Sequence, residues 1–192
     1  MKKHLEIMDA ANTVDYDNGQ INGNAVNNYT KYLKDLPHIF EDSRAFENAD
    51  PNKIIYLVQA IFPTKDGMEG GLFYGKTVIY PGKMGDEYYM TKGHFHEKAD
   101  RGEFYWGIEG NGMLLLMDEN RNTWAEKMYP GSLHYINGHT AHRTVNTGKS
   151  LLSFGACWPS DAGHNYQEIM DNGFSARLKE VDGKPQLIAS KS

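Results

Sequence analysis

His94-Phe95-His96, then six residues, then Glu103, with a further histidine in His142-Arg143-Thr144-Val145-Asn146, is the stretch that decides how this chain folds. Histidines at i and i+2 of a strand share a face, because strand side chains alternate with period two. A carboxylate and a third imidazole on neighbouring strands complete a four-ligand set. Three neutral nitrogens and one carboxylate oxygen suit a divalent first-row metal: iron, manganese, zinc or nickel. Four protein ligands leave two octahedral positions for substrate or water. A lone His-x-His is as readily a polar strand face as a ligand pair. Glu103 and His142 tip the reading to metal, provided the surrounding segments are strands.

They read as strands. Ile54 to Phe62, Leu72 to Tyr80 and Glu87 to Met90 are rich in Ile, Val, Tyr and Phe, with Gly, Pro and Asp between them. Gly102 to Ile108, Gly112 to Met117, Thr123 to Tyr129, Ser132 to Ile136, His142 to Asn146 and Leu151 to Cys157 follow at close spacing. Short strands with turn signals and no intervening helices predict an all-β sandwich or barrel, whose interior brings the four ligands together. Ahead of them, Asn18-Gly19 suits a hairpin. Val26, Tyr29, Tyr32, Leu33 and Leu36 recur at helical spacing until Pro37, and a second short helix covers Ser43 to Asn48. Tyr166, Ile169 and Met170 mark a C-terminal helix ended by Gly173, and Asp182-Gly183 a turn between two closing strands. The chain reads as one domain: residues 1–50 form an N-terminal arm and helix packed on the barrel, and residues 51–192 the barrel with its C-terminal helix.

A length of 192 residues fits one well-cored domain, and a net charge of −5 lacks the basic footprint of nucleic-acid binding. No apolar run is long enough to span a bilayer, so no membrane is expected. Met1-Lys2-Lys3-His4-Leu5 lacks the apolar stretch of a secretory signal, and the single cysteine, Cys157, suits a reducing compartment; the expected location is cytoplasmic.

The pattern resembles the cupin superfamily. Glu103 is followed by Gly110, His142 by Asn146, and Gly131 opens the second motif; Asn137 and His139 stand where cupins usually have Pro and Gly. Tyr80-Pro81-Gly82-Lys83, Thr91-Lys92-Gly93-His94-Phe95-His96, Asp100-Arg101-Gly102-Glu103, Ala141-His142-Arg143-Thr144-Val145-Asn146 and Asp161-Ala162-Gly163-His164 look like the cupin-type phosphoglucose isomerases known mainly from archaea. The likeness runs from about Tyr56 to Phe174. It implies a double-stranded β-helix or jelly-roll barrel with short N- and C-terminal helices, a homodimer, and metal-dependent interconversion of glucose 6-phosphate and fructose 6-phosphate. It places one divalent metal per subunit, Fe2+ foremost and Mn2+, Zn2+ or Ni2+ otherwise, on His94, His96, Glu103 and His142. Contacts to the sugar phosphate fall on Thr77, Thr91, Gly93, His164 and Tyr166, with Tyr105 lining the pocket. Where the family has a further tyrosine this chain has Trp158, which leaves that contact to an indole.

Isomerisation moves one hydrogen between C1 and C2, and a metal can hold both oxygens and polarise the carbonyl. Glu103 is the candidate catalytic base; a direct hydride shift is the alternative. Phosphate recognition falls to neutral donors, since Gly107-Ile108-Glu109-Gly110-Asn111-Gly112 is a turn and not a dinucleotide fingerprint. Lys92 reads as solvated, Arg143 as half of a structural ion pair, and Tyr88, Tyr89, Phe104 and Trp106 as packing. His134 and His139 are candidates for supporting the ligands. Two rival functions share the three-histidine, one-glutamate shell: a cupin dioxygenase using ferrous iron, and a non-catalytic sugar-binding cupin.

Overall fold

The computed structural model describes residues 5–190, so Met1 to His4 at the head of the chain lie outside it. The expected first hairpin pairs β1 (Asn12–Val14) with β2 (Ile21–Gly23), and Gly19 in its turn takes φ +74°. The helix expected from Val26 to Leu36 is instead β3 (Asn27–Tyr32) followed by a 3-10 turn over Leu33–Asp35. Helical spacing there is misleading, because only Leu33 and Leu36 are buried core while Tyr29 is exposed. Asn27, Asn28 and Thr30 are weak helix formers, and their backbone groups find a ladder partner in β4 (Ile54–Ile61). The second short helix stands where expected: α1 (Ser43–Asn48) is capped by Asp42, whose carboxylate accepts from Ala45 N at 2.9 Å.

After β4 come β5 (Leu72–Ile79), β6 (Lys83–Met84) and β7 (Glu87–Tyr88). The chain then runs extended through His96 to β8 (Glu103–Glu109), β9 (Gly112–Asp118), β10 (Thr123–Met128), β11 (Leu133–Ile136), β12 (Thr140–Val145) and β13 (Leu152–Pro159). Six of these strands form one sheet in the order β11-β8-β13-β5-β4-β3, and three form another, β10-β9-β12. Every ladder is antiparallel. The segment before β8 extends the smaller sheet, through Met90 opposite Val145 and His94 opposite His142. α2 (Gln167–Asn172) ends at Gly173 at φ +61°, after which β14 (Ala176–Val181) and β15 (Lys184–Ala189) close the chain against β7 and β6. Asp182 and Gly183 make their turn with positive φ at both positions, the geometry of a two-residue hairpin.

The two sheets face each other as a jelly-roll barrel, with the Tyr105 ring on β8 standing 5.7 Å from the His142 ring on β12. Strand alternation decides what lies between them. Tyr56, Val58 and Ala60 on β4, Phe73, Gly75 and Thr77 on β5, and Phe154, Ala156 and Trp158 on β13 all point into one cavity. β9 is different: Leu114 to Met117 are buried without a break, because its outer face is covered as well. The open seam between β10 and β11 is bridged by His134, whose Nδ1 meets Glu126 Oε2 at 2.7 Å and whose Nε2 meets Ser132 Oγ at 3.0 Å. Among the described residues no helix is long and apolar enough to cross a membrane.

Candidate metal centre

Antiparallel pairing of His94 with His142 is the foundation of the site. Each donates its backbone N–H to the other's carbonyl, at 3.2 and 3.0 Å, so both imidazoles rise from one face of the smaller sheet. His96 follows on that face, its ring 5.5 Å from that of His94. Glu103, first residue of β8, comes from the opposite sheet. One ligand atom from each of His94, His96, Glu103 and His142 lies within 4.8 Å of every other.

Partners outside the cluster fix which ring nitrogen faces inward. His96 Nδ1 lies 2.8 Å from Arg101 O and His142 Nδ1 3.2 Å from Thr140 O, so both donate there and leave Nε2 for the centre. Buried His94 Nε2, His142 Nε2 and Glu103 Oε1 have no hydrogen-bond partner of acceptable geometry. Yet Glu103 Oε1 is 2.6 Å from His142 Nε2 and 3.4 Å from His96 Nε2. Three imidazole rings and a carboxylate brought this close together in the interior fit a divalent cation, and this donor set suits a first-row metal.

Electrostatics reflect how closely these groups are crowded. Burial, then the neighbouring rings of His142, His164 and His96, hold His94 well below the usual imidazole range, so it is neutral at pH 7. Burial also works against charge on His96, but hydrogen bonding and attraction to Glu103 outweigh it and raise that ring. Burial opposes the Glu103 carboxylate, but His142 and His96 dominate and bring it down to about 2. Burial, and then the charge of Glu103, push the Tyr105 hydroxyl well above its ordinary range.

The cluster opens into a cavity of about 630 Å³, lined by Thr77, Thr91, Gly93, Tyr105, Trp158, His164 and Tyr166, all seven substrate positions read from the sequence. His164 and Tyr166 stack at 5.6 Å, and the His164 ring is 4.4 Å from that of His94. Burial lowers His164, which is therefore uncharged at neutral pH. Trp158 packs edge-on against Phe73 at 5.9 Å, and its ring crosses Gly75 so closely that a Cβ there would lie 3.1 Å from it.

A family model described as "Glucose-6-phosphate isomerase (GPI)" matches residues 30–186. The chain belongs to the glucose-6-phosphate isomerase family. It is 41% identical over 177 residues to a glucose-6-phosphate isomerase of Thermococcus kodakarensis, covering 91% of each chain. To one of Sinorhizobium medicae it is 33% identical over 176 residues, covering 90% of this chain and 80% of that one. Among solved structures, an oxalate decarboxylase of Bacillus subtilis is similar at TM-score 0.45 and 16% identity, over 57% of this chain and 26% of that one.

Several readings of individual side chains change within this member of the isomerase family. Lys92 lines the cavity instead of standing free in solvent, its ammonium 4.6 Å over the Tyr166 ring; Gly93 at φ +78° interrupts the alternation that would have turned it away. Arg143 is no half of an ion pair: among the described residues no carboxylate lies within bonding distance of its guanidinium, which burial lowers to about 9. His134 bonds Glu126 and His139 bonds Glu119, so neither supports a ligand. Asn146, fully buried, donates to Ile79 O and Ser150 O and accepts from Gly148 N, which makes it the organiser of a turn. His139 takes φ +60°, explaining why the cupin pattern usually has glycine there.

Sequence reasoning missed the anchor of the long insert between His96 and Glu103. Asp161 accepts from Lys98 Nζ at 2.7 Å and from Arg101 Nη2 at 2.8 Å, clamping the insert whose Arg101 carbonyl holds His96. The signal was present, since Asp100-Arg101 and Asp161-Ala162-Gly163-His164 are both family motifs, but nothing local pairs them. Lys31 and Tyr56 are further cavity-lining residues that no motif marks.

Proposed function

We propose that this chain is a metal-dependent aldose–ketose isomerase interconverting glucose 6-phosphate and fructose 6-phosphate. The observation that carries the reading is the convergence of His94, His96, Glu103 and His142 in a member of this family, with His94, Glu103 and His142 in the wall of the cavity. These four hold one divalent ion per subunit, ferrous iron first and manganese, zinc or nickel as alternatives. The enzyme works as a homodimer, and its cytoplasmic location is supported by a single unpaired cysteine. Family membership gives no support to the dioxygenase or to the sugar-binding alternative.

When bound, the ion supplies a Lewis acid and a template for the substrate's two oxygens. Thr77, Thr91 and the Gly93 amide donate to the phosphate, while Trp158, Tyr105, His164 and Tyr166 hold the sugar. Glu103 directs one oxygen to the cluster and offers the other to the proton on C2. Neutral His164, beside His94, passes a proton between the oxygens on C1 and C2. The second reading is direct hydride transfer between C2 and C1, in which Glu103 helps hold the ion and takes no proton from carbon. Fructose 6-phosphate turnover, coupled to glucose 6-phosphate dehydrogenase, tests the function: it must vanish with chelator and return with a divalent ion. Full activity in metal-free protein would overturn it. Deuterium from solvent appearing at C2 supports Glu103 as base, and its absence supports the hydride route.

A further inference from the structure

Cationic side chains near the cavity fall into two kinds. Lys31 is exposed and Lys76 and Lys92 are half-buried among the lining, so solvent still reaches all three and weakens their fields. Arg143 is buried, 4% exposed, and among the described residues no carboxylate is hydrogen-bonded to it. Its Nη1 meets Met90 Sδ at 3.1 Å, its Nη2 donates to Lys92 O at 2.8 Å, Phe174 covers it at 4.3 Å, and its Nε has no partner. Among the described residues the carboxylate whose charge acts on Arg143 is Glu87, and it is already paired with Arg177 at 2.8 Å. Two guanidinium groups thus answer a single carboxylate. A buried charge left without an opposite partner is costly, and a fold holding one there has a charge to meet from elsewhere.

Gly93 shows where that charge comes from. It lines the cavity, and a Cβ on it would lie 2.8 Å from Arg143 Nε. The guanidinium therefore sits directly behind the glycine, with one residue's backbone between it and the cavity. Thr91, which accepts from Thr144 N at 3.0 Å and is free to donate its own hydroxyl, stands on the same stretch.

We infer that Arg143 is the buried counter-charge for the substrate's phosphoryl group, acting through the Gly93 backbone without touching it. This rests on the proposed sugar-phosphate reading of the cavity. Neutral donors fix the position of the phosphate, and Arg143 supplies attraction from a low-dielectric layer where it is poorly screened. It is a positioning residue, since its hydrogen bond to Lys92 O also holds the segment that carries Thr91 and Gly93.

Inhibition of the metal-loaded enzyme by inorganic phosphate and by the uncharged hexitol sorbitol separates charge from shape. In Arg143→Gln, phosphate inhibition is expected to weaken about tenfold or more, the order of one charge–charge interaction across several ångströms of protein. The loss should persist at high potassium chloride, with sorbitol inhibition and bound metal unchanged. Arg143→Lys should restore most of it. Glu87→Gln, which removes the competing acid and leaves Arg143 in place, should tighten phosphate inhibition, and it carries the test if Arg143→Gln does not fold. Equal weakening for phosphate and sorbitol, unchanged phosphate inhibition in Arg143→Gln, or no response in Glu87→Gln would overturn the inference. Failure of the underlying reading shows itself separately, as wild-type protein that neither turns over fructose 6-phosphate nor is inhibited by phosphate.

Discussion

At position 158 an indole crosses Gly75 and leans on Phe73, so the side chain that departs from the family pattern still faces the cavity. Trp158→Phe removes its one N–H donor and should raise KM by about 0.5–1.5 kcal/mol, with little change in kcat. Trp158→Tyr should be near neutral. Titration of the wild type with a non-reactive sugar phosphate should change tryptophan fluorescence, and that change should be absent in Trp158→Phe; steady-state kinetics and fluorescence together check the point. For His142, replacement by Ala deletes a proposed ligand whose backbone stays paired with His94, so elemental analysis should find no stoichiometric metal in a protein with an unchanged far-ultraviolet spectrum. The cluster of His94, His96, Glu103 and His142 was legible because its residue types and spacing are distinctive in themselves. Arg143 was not, because a buried arginine whose partners are a carbonyl, a thioether and an arene leaves no complementary residue in the sequence to find.

The insert of residues 97–102 owes its shape to Asp161, and through Arg101 that shape reaches His96. Asp161→Asn should therefore weaken metal binding by about tenfold or more, the usual cost of losing a group that orients a ligand, as competition with a chromophoric chelator would show. The same carboxylate carries a pH signature. Hydrogen bonds from Arg101 and Lys98 hold Asp161 well below the ordinary carboxylate range, so its folded pKa is depressed relative to the unfolded chain. Its stabilisation is then fully present above about pH 4, the unfolded value, and fades as pH falls toward the folded one. Urea midpoints of metal-free wild type and Asp161→Asn should differ at pH 6 and converge progressively below pH 4. Most strands were legible because Ile, Val, Tyr and Phe concentrate in them while Gly, Pro and Asp fall between them. β3 was not. As an edge strand it is mostly exposed, so its apolar residues record no strand period, and Leu33 and Leu36 just beyond it complete a false helical one.

Across the whole molecule the cluster joins the two sheets, since its three histidines rise from the β12 side and Glu103 from β8. An ion bound only by the folded chain stabilises it by about 2.7 kcal/mol at one hundred times its dissociation constant. For a chain of this size that corresponds to a fall in Tm of roughly 5–10 °C on chelation, which differential scanning calorimetry with and without added metal would measure. The barrel itself was legible, because closely spaced strands without intervening helices leave few other architectures; which strands become neighbours was not, because pairing between distant segments leaves no local mark. That topology also has a consequence for how the protein is made. β13 lies between β5 and β8 in the larger sheet, yet it leaves the ribosome after both. At about 5–20 residues per second, several seconds separate the emergence of β8 from that of β13. Throughout that interval two strands present naked edges that any other nascent chain can pair with. Stalled chains ending before Leu152 should be protease-sensitive and bound by chaperones, and resistance should appear only once Pro159 has cleared the exit tunnel. The innermost strand is among the last to be delivered, and until it arrives the cell is holding two halves of a sheet apart.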